Sequence, residues 1–255
     1  MPGIFRAIGK AQDYSEKLEG LYRMYRLIMD LKLQAKINGC PLELTVERTY
    51  HIGKNVKFIL RPGSRIKIHI GRDAIIGDGV EIDMRGGELY MGPRTQFRQL
   101  GVAKLDGALI LEGDCGISHR CFIHCGKRIT LKRFSTIGEY SSLLDGAHIH
   151  PQNTDEWFYT KGENIYGPIT VGINTYVGNK TTILMDVEIG DCCIIGANSV
   201  VNKSIPSHHL AAGVPAKPIK CLLEKEPEEK KAKGAKKIAR GGSGKKLRVA
   251  GGSGK

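Results

Sequence analysis

"VGINTYVGNKTTILMDVEIGDCCIIGANSVVNKSI", residues 171–205, places an aliphatic side chain at Val171, Val177, Ile183, Ile189, Ile195 and Val201, six apart each time. An amphipathic helix repeats its apolar face near every 3.6 residues and a half-buried strand every 2. A six-residue spacing held this long describes neither as a continuous element. It signals a repeat architecture, in which one small unit stacks on the next. If each hexad makes one short strand and one turn, three hexads close a triangular coil of 18 residues. Val171 then lies under Ile189, Val177 under Ile195 and Ile183 under Val201. The interior becomes columns of branched side chains, the core of a parallel sheet. Each is worth about 1.5–3 kcal/mol when fully buried.

The same period recurs upstream as Ile70, Ile76 and Ile82, as Leu111, Ile117 and Ile123, and as Leu131, Ile137 and Leu143. Glycine often follows the aliphatic residue, as at Gly77, Gly138, Gly172, Gly178, Gly190 and Gly196, where the chain must turn. A small or β-branched residue falls four positions after it: Ala74, Val80, Ser135, Ser141, Thr175, Thr181, Val187 and Ser199. The period breaks at 84–108 and 146–168, which predicts loops leaving the coil there.

Three segments follow. Residues 1–40 are a helical segment: over 12–37, Leu18, Leu21, Tyr25, Ile28 and Leu31 form one apolar stripe, and Gly39 and Pro41 end it. This helix is expected to pack on the main domain, with an interfacial membrane helix as the alternative. Residues 41–222 are the repeat domain. Residues 223–255 are low in complexity, with GGSGK at 241–245 and 251–255, and cannot bury enough apolar surface to fold alone. This basic tail is expected to be disordered and solvated, touching anionic surfaces weakly. The chain's formal net charge is +13, and residues 222–255, with nine Lys, two Arg and four Glu, hold more than half of it.

The composition also excludes some classes. No run of 18 apolar residues is present, so no transmembrane helix is expected. The start lacks an apolar stretch of signal-peptide length, which predicts a cytoplasmic protein, peripheral at most to the inner face of the membrane. Most of the seven cysteines occupy repeat positions suited to a small apolar side chain, so they read as reduced, buried thiols.

With the hexads, the ending "GANSVVNKSIPSHHLAAGVPAKPIK" (196–220) carries a specific likeness. Residues 70–220 resemble the hexapeptide-repeat acyltransferases, and within them the sugar O-acetyltransferase branch. That resemblance implies an all-β fold, a left-handed parallel β-helix, here with an N-terminal helix. Its hand departs from the usual right-handed crossover and comes from the resemblance alone. The resemblance further implies an acetyl-CoA-dependent O-acetyltransferase acting on a saccharide of cell-surface polysaccharide or lipopolysaccharide biosynthesis. It implies a homotrimer, with acetyl-CoA in a groove between subunits and no metal.

Acyl transfer to a hydroxyl needs a base, a donor for the oxyanion, and substrates held together. By resemblance the base lies in the loop "SSLLDGAHIHPQNTDEW" (141–157), where His148 fits best and His150 is its rival. Asp145 orients the imidazole, binds the acceptor, or only ends the strand. Matching from the chain's end puts the acetyl-CoA contacts at Asn179, Ala197, Asn202, Lys203, Lys217 and Lys220. Ser118, with Arg120 nearby, takes the place of an acceptor-site asparagine, and Trp157 offers a face for a sugar ring. Three other readings stand beside this one: N-acetylation of an amino sugar, a zinc hydratase using His119 and His124, and a non-enzymatic scaffold presenting the tail.

Overall fold

A computed structural model describes residues 2–49, 51–63, 65–149 and 164–223; of residues 2–14 only the helical backbone is described. The chain divides into Met1–Cys221 and Leu222–Lys255, and all that follows concerns the first unit. His150, Trp157 and the basic tail lie outside the described residues.

The hexads build a three-sided parallel β-helix. Its faces are sheets of seven, nine and seven strands, called here first, second and third in the order the chain visits them. Every inward position named from the period is buried: Ile70, Ile76, Ile82, Leu111, Ile117, Ile123, Leu131, Ile137, Leu143 and the six of 171–201. The small residues four positions later are buried too. Their hydroxyls donate to turn carbonyls, as Thr175 does to Gly190 (2.7 Å) and Ser199 to Gly196 (2.6 Å). A buried hydroxyl is thus paired instead of stranded. Cys115, Cys121 and Cys193 fill the same position, and all seven cysteines are free. Burial pushes the Cys115 and Cys121 thiols up to about 11, so these are inert packing groups.

The coil length is not constant. The last coils keep 18 residues, with Thr182 beside Val200 and Val177 beside Ile195. Below the break, Ala108 pairs with Arg128 and Phe122 with Ser142, a repeat of 20. Ile75 pairs with Gln96, a repeat of 21, and Leu42 with Ile66, a repeat of 24. The expected loop at 84–108 is therefore not there. Gly87–Met91, Gln96–Phe97 and Val102–Leu105 are strands of the three faces. A surplus at the corner from the third face to the first, three residues before Met91 and two before Leu111, shifts the phase and hides the period. Gly87 sits at that corner with φ 75°, and a Cβ there would stand 1.9 Å from the Gly107 carbonyl oxygen. Phe97, the largest fully buried side chain, is accommodated by Gly101, whose absent Cβ would lie 2.3 Å from the ring. The break at 146–168 does open a loop: Gly146–His148 leaves the coil and pairs antiparallel with Asn164–Tyr166.

The helix, α1, runs Pro2–Asn38 and closes the first coil. Its position is fixed by the open edge of the third sheet, the strand Lys57–Leu60. The Gln34 amide donates to the Phe58 carbonyl (2.8 Å) and accepts from the Leu60 N–H (3.0 Å), as a neighbouring strand would. Asn38 donates to the Leu60 carbonyl (2.5 Å). A sheet edge is thereby covered. The stripe that packs is Met24, Leu27, Leu31 and Ala35. This corrects the sequence reading: Leu31 is buried and Leu21 and Ile28 partly so, but Leu18 and Tyr25 face outward. The helix is apolar on more than one side, and the edge strand selects which side docks. Among the described residues no helix is long and apolar enough to cross a membrane.

Candidate functional site

The third sheet has two edges, and the sequence-predicted residues divide between them. At the corner from the second face stand Ser118, after Gly116–Ile117, Asn179, after Tyr176–Val177, and Ala197, after Ile194–Ile195. Backbone hydrogen bonds stack this corner: Tyr140 N–H to the His119 carbonyl (3.0 Å), Lys180 to Glu139 (2.7 Å) and Asn198 to Asn179 (2.9 Å). The Asn179 side chain accepts from the Glu139 N–H (3.1 Å), and Asn179 and Ala197 are exposed. At the opposite edge stand Asn202 and Lys203, just past Val200–Val201 and exposed, together with the root of the His148 loop. Lys217 and Lys220 lie on Ala216–Cys221, which pairs antiparallel with His209–Gly213 at the end of the second sheet. Lys217 is opposite Ala212, whose Cβ would crowd any side chain at Gly196. That places Lys217 beside the Ala197 corner.

The loop root is firmly built. Asp145 continues the inward column of the third face above Cys125 and is fully buried. One carboxylate oxygen accepts from the Gly126 N–H (2.6 Å) and the other from Lys127 (2.8 Å) and Arg128 (2.9 Å). Its carbonyl accepts from the Gly167 N–H (2.8 Å), so a single residue ties together the two ends of the loop. The Tyr166 ring closes over Gly126 and Gly146, where a Cβ would stand 2.0 and 2.5 Å from ring carbons. Burial first, and then the neighbouring Asp145 carboxylate, push the Cys125 thiol far up. His148 lies exposed on the two-stranded ribbon, three residues beyond this anchor. Both Asp145 oxygens are spent on backbone amides, which favours the strand-ending role among those read from the sequence.

Ser118 lines a polar recess of about 410 Å³ with Arg94, Gln96, Arg98, His119, Thr136 and Glu139. Gly116, between Gln96 and Thr136 in register, also lines it. Arg94 forms a fork with Asp114 (2.5 and 2.7 Å), joined by Arg133 (3.2 Å), and this pairing with Arg94 holds the Asp114 carboxyl below its usual range. Sequence reasoning did not assign Arg98, Thr136 or Glu139 to this site. Their signal was positional: they surround Ser118 through coils 20 residues apart. His119 and His124 part company, His119 at the recess and His124 on the third face between Lys104 and Leu144. Among the described residues, no group of three or more His, Cys, Asp or Glu is placed to hold a metal ion.

No family model matches the chain. A Staphylococcus aureus (strain MRSA252) protein provisionally named as an acetyltransferase is 40% identical over 82 residues, 31% of this chain and 39% of that protein. The galactoside O-acetyltransferase of Escherichia coli (strain K12) is 42% identical over 65 residues, 26% of this chain and 32% of that one. The chain thus spans about two fifths or less of the length of these curated relatives. Among solved structures, the polysialic acid O-acetyltransferase OatWY superposes with a TM-score of 0.54 at 18% identity, covering 72% of this chain and 92% of that one. That likeness confirms the β-helix fold. The names of the relatives bear out the resemblance read from the hexads.

Proposed function

We propose that this chain is an acetyl-CoA-dependent O-acetyltransferase acting on a sugar hydroxyl, in the making of cell-surface polysaccharide or lipopolysaccharide. The observation that carries the reading is the division of residues along the third sheet. One edge presents Asn179 and Ala197 with Lys217 beyond them; the other presents Asn202 and Lys203 beside the anchored His148 loop. Ala197 leaves room for a slender chain, and exposed Lys203 and Lys217 meet phosphates. The polar recess at Ser118 suits a polyhydroxylated acceptor.

In the proposed reaction, the His148 imidazole takes the proton of the acceptor hydroxyl. The oxygen attacks the thioester carbonyl carbon, and the tetrahedral intermediate expels the CoA thiolate. The imidazolium returns the proton to that thiolate. Asp145 acts here as the anchor of the loop, not as the partner of the imidazole. Within one chain, His148 and Ser118 belong to opposite edges of a face whose strands are three or four residues long, roughly 10–13 Å. A second copy that sets its His148 edge against the Ser118 corner closes the site, which supports a homotrimer.

The test is release of free CoA thiol across a panel of neutral, acidic and amino sugars. His148→Ala is expected to cut transfer by about 10²–10⁴-fold with the fold intact. Retained activity would move the base to His150. Transfer to amino sugars alone would replace O- by N-acetylation.

A further inference from the structure

Helix α1 carries a second apolar face that, among the described residues, packs against no other element. Opposite the packed side, Leu18, Tyr22, Tyr25, Met29, Leu33 and Ile37 are exposed, from 50% at Leu18 to 72% at Ile37. Leu18, Tyr22, Tyr25 and Met29 follow the alternating four- and three-residue steps of an interhelical seam. The stripe runs over about 28 Å of helix. The two tyrosines, each 63% exposed, offer roughly 100–150 Å² apiece. Six such side chains exceed the patch of a few hundred Å² that a lone chain normally exposes. They approach the ~800 Å² per partner of a standard interface.

We propose that this face pairs with the same face of a second copy, the two helices running antiparallel about a two-fold axis. Two features favour that occupant. The stripe is self-complementary: with Leu18 set against the second copy's Ile37, Tyr22 meets Leu33 and Tyr25 meets Met29. Finally, the packed face of α1 already closes the first coil, so the stripe points away from the β-helix and two copies meet end to end without disturbing the third sheet. The contact is separate from the one that joins His148 to Ser118, and each half of the pair keeps its own acetyl-transfer sites.

Sedimentation equilibrium of the full chain against a Tyr25→Glu/Met29→Glu variant decides it. Both positions are exposed, so the variant is expected to keep the circular dichroism spectrum and melting profile of the parent. The parent is expected at twice the variant's mass. Equal masses would overturn the proposal. A milder Tyr22→Ala/Leu33→Ala variant, expected to weaken pairing at least tenfold, keeps the test valid if the charged one fails to fold. Two further arms separate other occupants. If parent but not variant floats with phosphatidylglycerol vesicles while both have equal mass, the face is a lipid surface and the proposal fails. If ending the chain after Leu223 doubles the mass of a previously single copy, the tail covers the stripe in the full chain and the proposal also fails there.

Discussion

The β-helix below Asp145 and the β-helix above Gly167 use the same inward columns but different coil lengths. Below, strands such as Ala108–Leu111 and Arg128–Leu131 have four residues and coils take 20 or more. Above, Ile169–Val171 and Val187–Ile189 have three and the coil takes 18. The surplus below is gathered at the corner from the third face to the first. The His148 loop leaves from that same corner. The difference teaches where this fold tolerates insertion. A corner points into solvent and touches no inward column, so two residues or about twenty are accommodated at little cost in closure entropy. What must be specified is the stitch between the halves, and Asp145 is that stitch.

The largest expected effect breaks the function and spares both halves. His148→Ala, at about 10²–10⁴-fold in acetyl transfer, corresponds to roughly 3–5 kcal/mol of barrier, read by CoA thiol release with an unchanged unfolding midpoint. Asp145→Ala attacks the stitch itself. It strips the acceptor from three amides, and each buried unpaired donor costs about 1–3 kcal/mol. A loss of about 3 kcal/mol or more in urea unfolding is expected, with activity falling as the loop root loosens. An unchanged midpoint would show that the amides find other partners.

Gly87→Ala probes the surplus corner of the lower half. The positive φ and the Gly107 carbonyl both oppose a Cβ, and a loss above about 1 kcal/mol is expected in the same assay. A smaller effect comes from acid. Arg61 grips Asp83 through two hydrogen bonds (3.0 and 2.9 Å) and, chiefly through them, holds its carboxyl below the usual range. The stability this pair adds is present above the unfolded carboxyl's pKa and is lost as pH falls through the lower folded value. Arg61→Met should flatten that limb of a stability-against-pH curve, and an unaltered curve would remove the pair from the account. Least of all, a chain ended after Leu223 should keep solubility, unfolding midpoint and activity.

Much of this was legible in the residues. The columns at 171–201 could be read one by one, because each coil places a like side chain on its predecessor and the rule is local. The run 84–108 was misread because a surplus of three residues before it and two after it resets the phase, although Met91, Phe97 and Ala103 keep the six-residue step within it. For Asp145 the sequence left three roles open, the strand-ending one among them, since its three partners lie 17–19 residues earlier in a turn with no motif of its own. Arg98 and Glu139 are ordinary surface residues in the sequence and become neighbours of Ser118 only when coils stack.

By itself, then, the sequence determined the stacked coil, its apolar interior and the place where a loop must leave. Those follow from repetition, in which every residue's environment is a copy of its neighbour's. Tertiary structure alone decided which side of α1 is core and which is left bare, because both sides are apolar and only the open strand at Lys57–Leu60, with hydrogen-bonding groups to satisfy, breaks the tie. It also decided that the His148 and Ser118 edges stand a face apart, since distance across a folded coil is not a property of spacing along the chain.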